Sequence, residues 1–168
     1  CIPSKALLHI VKIVNETQHL SNVGVMFGDP EFDIPKIRSH KNKIISQLNG
    51  GISQLAKARN VNVLCGKASF INNNEVIVET REEEEKIQFK NCIIASGSTA
   101  SMLPNLPLDH PLVLTSKTAL NLDDIPGSLL IIGGGIIGLE LGQVYSTLGT
   151  DVSVVDYMPS LIPGADDD

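Results

Sequence analysis

Residues 128–156 read SLLIIGGGIIGLELGQVYSTLGTDVSVVD. The apolar run Leu129-Leu130-Ile131-Ile132 is short and β-branched, which predicts a buried strand. Gly133-Gly134-Gly135 follows at once, and Gly138 completes a G-x-G-x-x-G. Ile137, Leu141, Val144, Tyr145 and Leu148 then recur at helical spacing, and Gly149 is placed to end that helix. Val152-Ser153-Val154-Val155 predicts a second strand, with Asp156 at its tip. The order is strand, glycine turn, helix, strand, acid.

That layout suits one kind of ligand. Gly133 would make the tight turn, Gly135 would let a pyrophosphate approach the backbone, and Gly138 would allow close helix–strand packing. The helix start offers free N–H groups and the positive end of a dipole to phosphates. Asp156 lies 18 residues after Gly138, where a carboxylate accepts ribose hydroxyls. No Arg or Lys follows Asp156, which favours NAD over NADP. A glycine-rich α/β turn without a ligand would show the same glycines. The strand before, the helix after and the terminal acid together predict dinucleotide binding.

The chain has 168 residues, 42% of them hydrophobic, and a formal charge of −6. No basic cluster and no apolar run of membrane-spanning length occurs, so neither nucleic acid nor a membrane is an expected partner. Cys1, Cys65 and Cys92 have no metal-type spacing. The sequence begins at Cys1 inside a helix start and stops soon after a second strand, so it reads as an internal piece of a longer protein.

At the other end, Pro3 suits a first helical turn, and Ala6, Leu7, Ile10, Val11, Ile13 and Val14 form an apolar stripe. Cys1 would sit at that helix's N-terminus with Lys5 one turn on. Helix N-termini and nearby cations stabilise thiolates. The same residues also fit a small apolar cysteine and a solvated lysine. Asp33 is a predicted N-cap, with Pro35 in the first turn. Ile37, Ile44, Ile45, Leu48, Ile52 and Leu55 mark a long amphipathic helix, in which Gly50-Gly51 predicts a kink or a close contact. Val61–Cys65 and Asn91–Ala95 read as buried strands, the first ending at Gly66 and the second running into Ser96-Gly97-Ser98. Glu75–Glu79 and Lys86–Phe89 alternate as antiparallel strands, with Glu82–Glu85 as a solvated hairpin tip. Leu103–Pro107 and Asp123–Gly127 read as loops, the second a domain boundary. Glu140 lies on an apolar stretch and either finds a partner or faces solvent.

Cys1-Ile2-Pro3-Ser4-Lys5-Ala6-Leu7-Leu8 resembles the second half of the C-x-x-x-x-C-I-P-S-K redox motif of the dihydrolipoamide dehydrogenase family, a branch of the flavin- and pyridine-nucleotide-dependent disulfide reductases. Gly50-Gly51, Gly66-Lys67, Ile94-Ala95-Ser96-Gly97-Ser98 and the G-G-G-I-I-G-L-E-L-G run extend the likeness through the whole chain. Ser96 stands where the family usually has Thr. The resemblance implies an α/β fold of two Rossmann-like dinucleotide-binding domains, both incomplete, with an antiparallel β-meander in the FAD part. Residues 1–126 would belong to the FAD domain and 127–168 would begin the NAD domain.

The same resemblance implies FAD and NAD as cofactors, with Cys1, Lys5 and Glu140 as catalytic residues. Cofactor contacts would come from Lys5, Gly66, Ser96, Gly97, Ser98, Gly133, Gly134, Gly135, Ile136, Ile137, Gly138, Leu139, Glu140 and Asp156. Cys1 would pair with a cysteine five residues upstream, while Cys65 and Cys92 stay reduced. A Lys5–Glu140 ion pair is expected, whose disruption costs about 3–5 kcal/mol if burial is deep. The implied reaction reoxidises dihydrolipoamide, carried on the lipoyl protein of a 2-oxo acid dehydrogenase complex. A homodimer is implied, located in the cytoplasm or, in a eukaryote, the mitochondrial matrix. The family's base is a His of the partner subunit, a role that His9, His19, His40 and His110 do not match. Mercuric and glutathione-type reductases tend to carry Val after the cysteine, and their NADP users carry basic residues after the second strand. Ile2 and Asp156 speak against them. A non-catalytic nucleotide-binding module is the reading from another class.

Overall fold

A computed structural model describes residues 1–104, 106–107 and 109–162. Its helices are α1 (Ile2–His19), α2 (Ile34–Ala58), α3 (Ser116–Ala119) and α4 (Ile136–Thr147). Its strands are β1 (Lys67–Asn72), β2 (Glu75–Glu79), β3 (Glu84–Gln88), β4 (Ser128–Ile132) and β5 (Asp151–Val155). They fall into two compact units, one of Cys1–Gln47 with the described residues from Ala100 onward, the other of Leu48–Thr99. The division falls within α2.

The first unit is built on the stretch quoted above. β4 and β5 pair in parallel, Ser128 with Asp151 through Ile132 with Val155. α4 crosses between them, as a parallel pair requires. Gly149 ends α4 in the left-handed region at φ 104°; its N–H reaches the Ser146 carbonyl and the Thr150 N–H that of Tyr145, a Schellman closure. The predicted burial of β4 holds on one face only. Leu129 and Ile131 are half-buried, but Leu130 and Ile132 lie 57% and 53% exposed. An unbroken apolar run is the pattern of a strand covered on both faces, and the described residues cover one. Ile137, expected inside, is likewise exposed.

α1 begins at Pro3's turn as predicted, with Cys1 as N-cap. It packs on α4 through a core of Leu7 and Val11 against Leu141, Val144, Tyr145 and Leu148, joined by Ala119 and Leu122. Leu7, Val11, Val144, Tyr145 and Leu122 are almost wholly buried, and each apolar side chain contributes about 1.5–3 kcal/mol. Ile13, expected in the stripe, is half exposed because the helix turns it off this face. Asp33 caps α2, accepting from the Lys36 N–H at 3.0 Å. α3 is a single turn closed by a Thr115–Thr118 capping box. Asp123–Gly127 is a loop as expected; of the other predicted loop, Asn105 lies outside the described residues.

In the second unit β1, β2 and β3 form an antiparallel meander. β2 matches its predicted segment and β3 overlaps the predicted Lys86–Phe89 but begins at Glu84 and ends at Gln88, while β1 was not anticipated. The hairpin tip is tighter than expected. Thr80 Oγ1 accepts from the N–H groups of Glu82 and Glu83, and Glu84 and Glu85 already belong to β3. Phe70 and Phe89 meet edge to face at 6.1 Å. α2 runs unbroken through Gly50 and Gly51, and no described residue approaches either. Leu48, Ile52 and Leu55 are exposed, so this part of the predicted apolar stripe of α2 has no cover among the described residues.

Two strand expectations are overturned. Val61–Cys65 and Asn91–Ala95 lie outside any strand, with Val63 67% and Ile93 91% exposed. A strand needs a neighbour to take its N–H and C=O groups, and no described segment pairs with either. Cys65 and Cys92 are therefore exposed rather than buried, and both are free, as is Cys1.

Candidate nucleotide turn and thiol helix

The glycine turn is shaped by close approach. Gly133 donates its N–H to the Val155 carbonyl at 2.8 Å, which ties the turn to the end of β5. It then takes φ 108°, a conformation that favours glycine. At Gly138 a Cβ would collide with the Gly133 carbonyl oxygen and lie 3.1 Å from Ile131 Cγ2. The predicted roles of these two glycines, turn and close packing, are the ones the backbone displays. Gly135 is the N-cap of α4 and opens onto free space where its Cβ would be. The N–H groups of Ile136, Ile137 and Gly138 occupy the first turn, where helix geometry provides no acceptor. The turn fits a diphosphate: a missing Cβ over open space beside orphan donors.

Gly134 has a different reason to be glycine. A Cβ there would run into the Leu161 side chain and come 3.3 Å from Asp156 Oδ2. Its N–H donates to Asp156 Oδ2 and its carbonyl accepts from the Ile162 N–H at 3.0 Å. Asp156 Oδ1 accepts from the Met158 N–H at 2.7 Å. The hydrogen bonds from Met158 and Gly134 hold its carboxyl below the usual carboxylate value. Asp156 is thus an ionised acceptor, half-exposed at the tip of β5, with lone pairs left for hydroxyl groups.

The thiol helix approaches α4 from the other side. Cys1 is exposed, and its carbonyl accepts the Lys5 N–H at 3.0 Å and Ser4 Oγ at 3.1 Å. Lys5 Nζ and Glu140 Oε1 form an ion pair. The pair exists because α1 packs along α4, which brings residues 135 apart in sequence onto facing turns. The pair is only partly buried, the Lys5 side chain being 63% exposed and that of Glu140 24%. Leu139 N–H bonds to the Gly135 carbonyl and opens the helical ladder.

Cys1, Lys5, Glu140, the glycine turn and Asp156 therefore belong to one compact unit. Gly66, Ser96, Gly97 and Ser98 belong to the other. A Cβ on Gly66 would strike the Glu79 backbone, so β2 itself demands glycine there. Gly97 turns at φ 76°, and Ser96 and Ser98 stand exposed beside it. Sequence reasoning missed Arg38, Lys41 and Tyr145, whose side chains converge on one turn. The only signal was a cation pair at helical spacing, which normally marks a solvated face.

All of residues 1–168 match the pyridine nucleotide-disulphide oxidoreductase family, and the chain belongs to it. The chain is 47% identical over 168 residues to a dihydrolipoyl dehydrogenase of Vibrio parahaemolyticus and 46% identical to one of Vibrio cholerae. Each comparison covers 100% of this chain and 35% of the relative, so the chain spans about a third of the relatives' length. Among solved structures it is similar to the HOCl-induced flavoprotein disulfide reductase RclA from Escherichia coli, in a Cu(II) complex, with TM-score 0.77 and 30% identity. That match covers 99% of this chain and 34% of the other. LpdA of Mycobacterium tuberculosis, at 21% identity and TM-score 0.86 over 99% of this chain and 37% of that one, shares the fold. No helix among the described residues is long and apolar enough to cross a membrane.

Proposed function

We propose that this chain is part of a dihydrolipoyl dehydrogenase, an enzyme that reoxidises the dihydrolipoamide of a 2-oxo acid dehydrogenase complex. The observation that carries the reading is the Lys5–Glu140 pair, which joins the thiol helix to the helix of the nucleotide turn. Bound FAD and NAD would supply two-electron transfer. Cys1 would serve as one half of a redox disulfide, held as thiolate by the start of α1 and the charge of Lys5. Glu140 would hold Lys5 in place. The turn from Gly133 to Gly138, with the first-turn amides of Ile136, Ile137 and Gly138 and the adjoining Leu139, would bind the NAD diphosphate. Asp156 would accept its ribose hydroxyls. Gly66 and Ser96-Gly97-Ser98 would contact FAD through their backbone and hydroxyl groups. In the complete protein, residues 1–126 would form part of the FAD domain and 127–168 the start of the NAD domain. The active form would be a cytoplasmic homodimer.

The test is anaerobic reduction of the protein by dihydrolipoamide. A long-wavelength thiolate–flavin absorbance should appear and disappear again when NAD is added. Cys1→Ser should abolish that band. An unchanged spectrum in Cys1→Ser, or equal efficiency with NAD and NADP, would overturn the assignment.

A further inference from the structure

The turn that follows α3 presents a row of carbonyl oxygens, and three side chains from two helices take them up. Lys41 Nζ donates to the Leu120 carbonyl at 2.6 Å, and Arg38 Nη2 donates to the Leu122 carbonyl at 2.7 Å and the Asp123 carbonyl at 3.3 Å. Tyr145 Oη, from α4, donates to the Ala119 carbonyl at 2.8 Å. Lys41 and Tyr145 are 4% and 1% exposed. A lysine is rarely buried to that degree, and only a fixed acceptor compensates its lost hydration. Burial and the nearby Arg38 push the Lys41 ammonium below its usual range, partly countered by Asp123.

The backbone at the centre of this turn is strained. Leu122 takes φ 55°, in the left-handed region where a branched side chain is unfavourable, yet it is fully buried in the core. Such a conformation persists only where its surroundings over-determine it. Here the Leu122 side chain is locked by the core and its carbonyl by Arg38. The turn leads directly into the loop Asp123–Gly127 and then β4.

We propose that Arg38, Lys41 and Tyr145 are positioning residues, which clamp the turn Ala119–Asp123 between α2 and α4 and so set where α4 presents its glycine turn and Glu140. The clamp itself stands on geometry alone. Its consequence for nucleotide binding rests on the reading given under the proposed function. Tyr145 is the link that matters most for the turn, because it lies on α4, five residues beyond Glu140. Arg38 and Lys41 anchor the opposite side of the same backbone.

Two readouts decide the matter in the protein that contains this chain. Amide hydrogen exchange of residues 119–123 and of α4 should accelerate about tenfold in Tyr145→Phe and in Lys41→Met, each of which removes one donor from the clamp. Tyr145→Phe keeps the ring and its packing, so it tests the hydrogen bond without threatening the fold. In the same variant KM for NAD should rise several-fold. Unchanged exchange in both donor variants overturns the clamp, and accelerated exchange with an unaltered KM in an active enzyme overturns its positioning role. If the protein proves to have no NAD-linked activity, the functional reading fails by itself and hydrogen exchange still decides the clamp.

Discussion

Replacing Lys5 by Met should change chemistry more than stability. Two unit charges about 4 Å apart attract by about 1 kcal/mol in water and about 4 kcal/mol at an effective dielectric near 20. Lys5 is 63% exposed and Glu140 24%, so the pair lies nearer the aqueous limit. The loss of about 3–5 kcal/mol expected for a buried pair does not apply. A double-mutant cycle of Lys5→Met and Glu140→Gln should give a coupling of about 0.5–1 kcal/mol. Urea unfolding at constant slope measures it, since a pure stability change moves the midpoint alone. In the flavin-loaded protein the same Lys5→Met change should shift the thiolate–flavin absorbance visibly. A coupling above about 3 kcal/mol would refute the reasoning, because only a desolvated pair reaches that size.

Gly138→Ala should destabilise the protein by about 1–3 kcal/mol, as the new methyl meets the Gly133 carbonyl; calorimetry of the two forms checks this. Asp33→Ala removes the cap on Lys36 N–H and should lower the urea unfolding midpoint. Asp156 has a folded pKa lowered from 3.8 by backbone donors, so its contribution to stability is fully present above that value and is lost as pH falls through the folded one. The unfolding midpoints of wild type and Asp156→Asn, followed from neutral pH into acid, should therefore converge only at the acid end. If the proposed function holds, Asp156→Ala should weaken NAD binding about tenfold or more, through loss of hydrogen bonds to ribose, as titration calorimetry would read.

The stretch from Ser128 to Asp156 folds as its residues dictate because its signals are local. The glycines, the period of Leu141, Val144, Tyr145 and Leu148, and the stop at Gly149 all act within a few residues. The Lys5–Glu140 pair was legible through resemblance rather than through spacing. Val61–Cys65 and Asn91–Ala95 misled because apolar, β-rich segments report a tendency to pair, and pairing depends on a neighbour that sequence does not name. β1 escaped notice for the reverse reason. Lys67–Asn72 alternates weakly, and its register comes from β2. The clamp of Arg38, Lys41 and Tyr145 was illegible because a cation on a helix reads as solvated until a distant carbonyl meets it.

The meander has two unlike margins. β3 lines one of them with Glu84, Glu85 and Lys86, charges that repel a second strand. β1 lines the other with Phe70 and Ile71, 55% and 48% exposed and interrupted only by an irregularity before Asn72. Among the described residues no strand pairs with the outer edge of β1, and an open edge flanked by apolar side chains is a template for strand addition. Aggregation of this 168-residue chain should therefore begin at Lys67–Asn72, and a single added charge at Phe70 or Ile71 is the change that would suppress it.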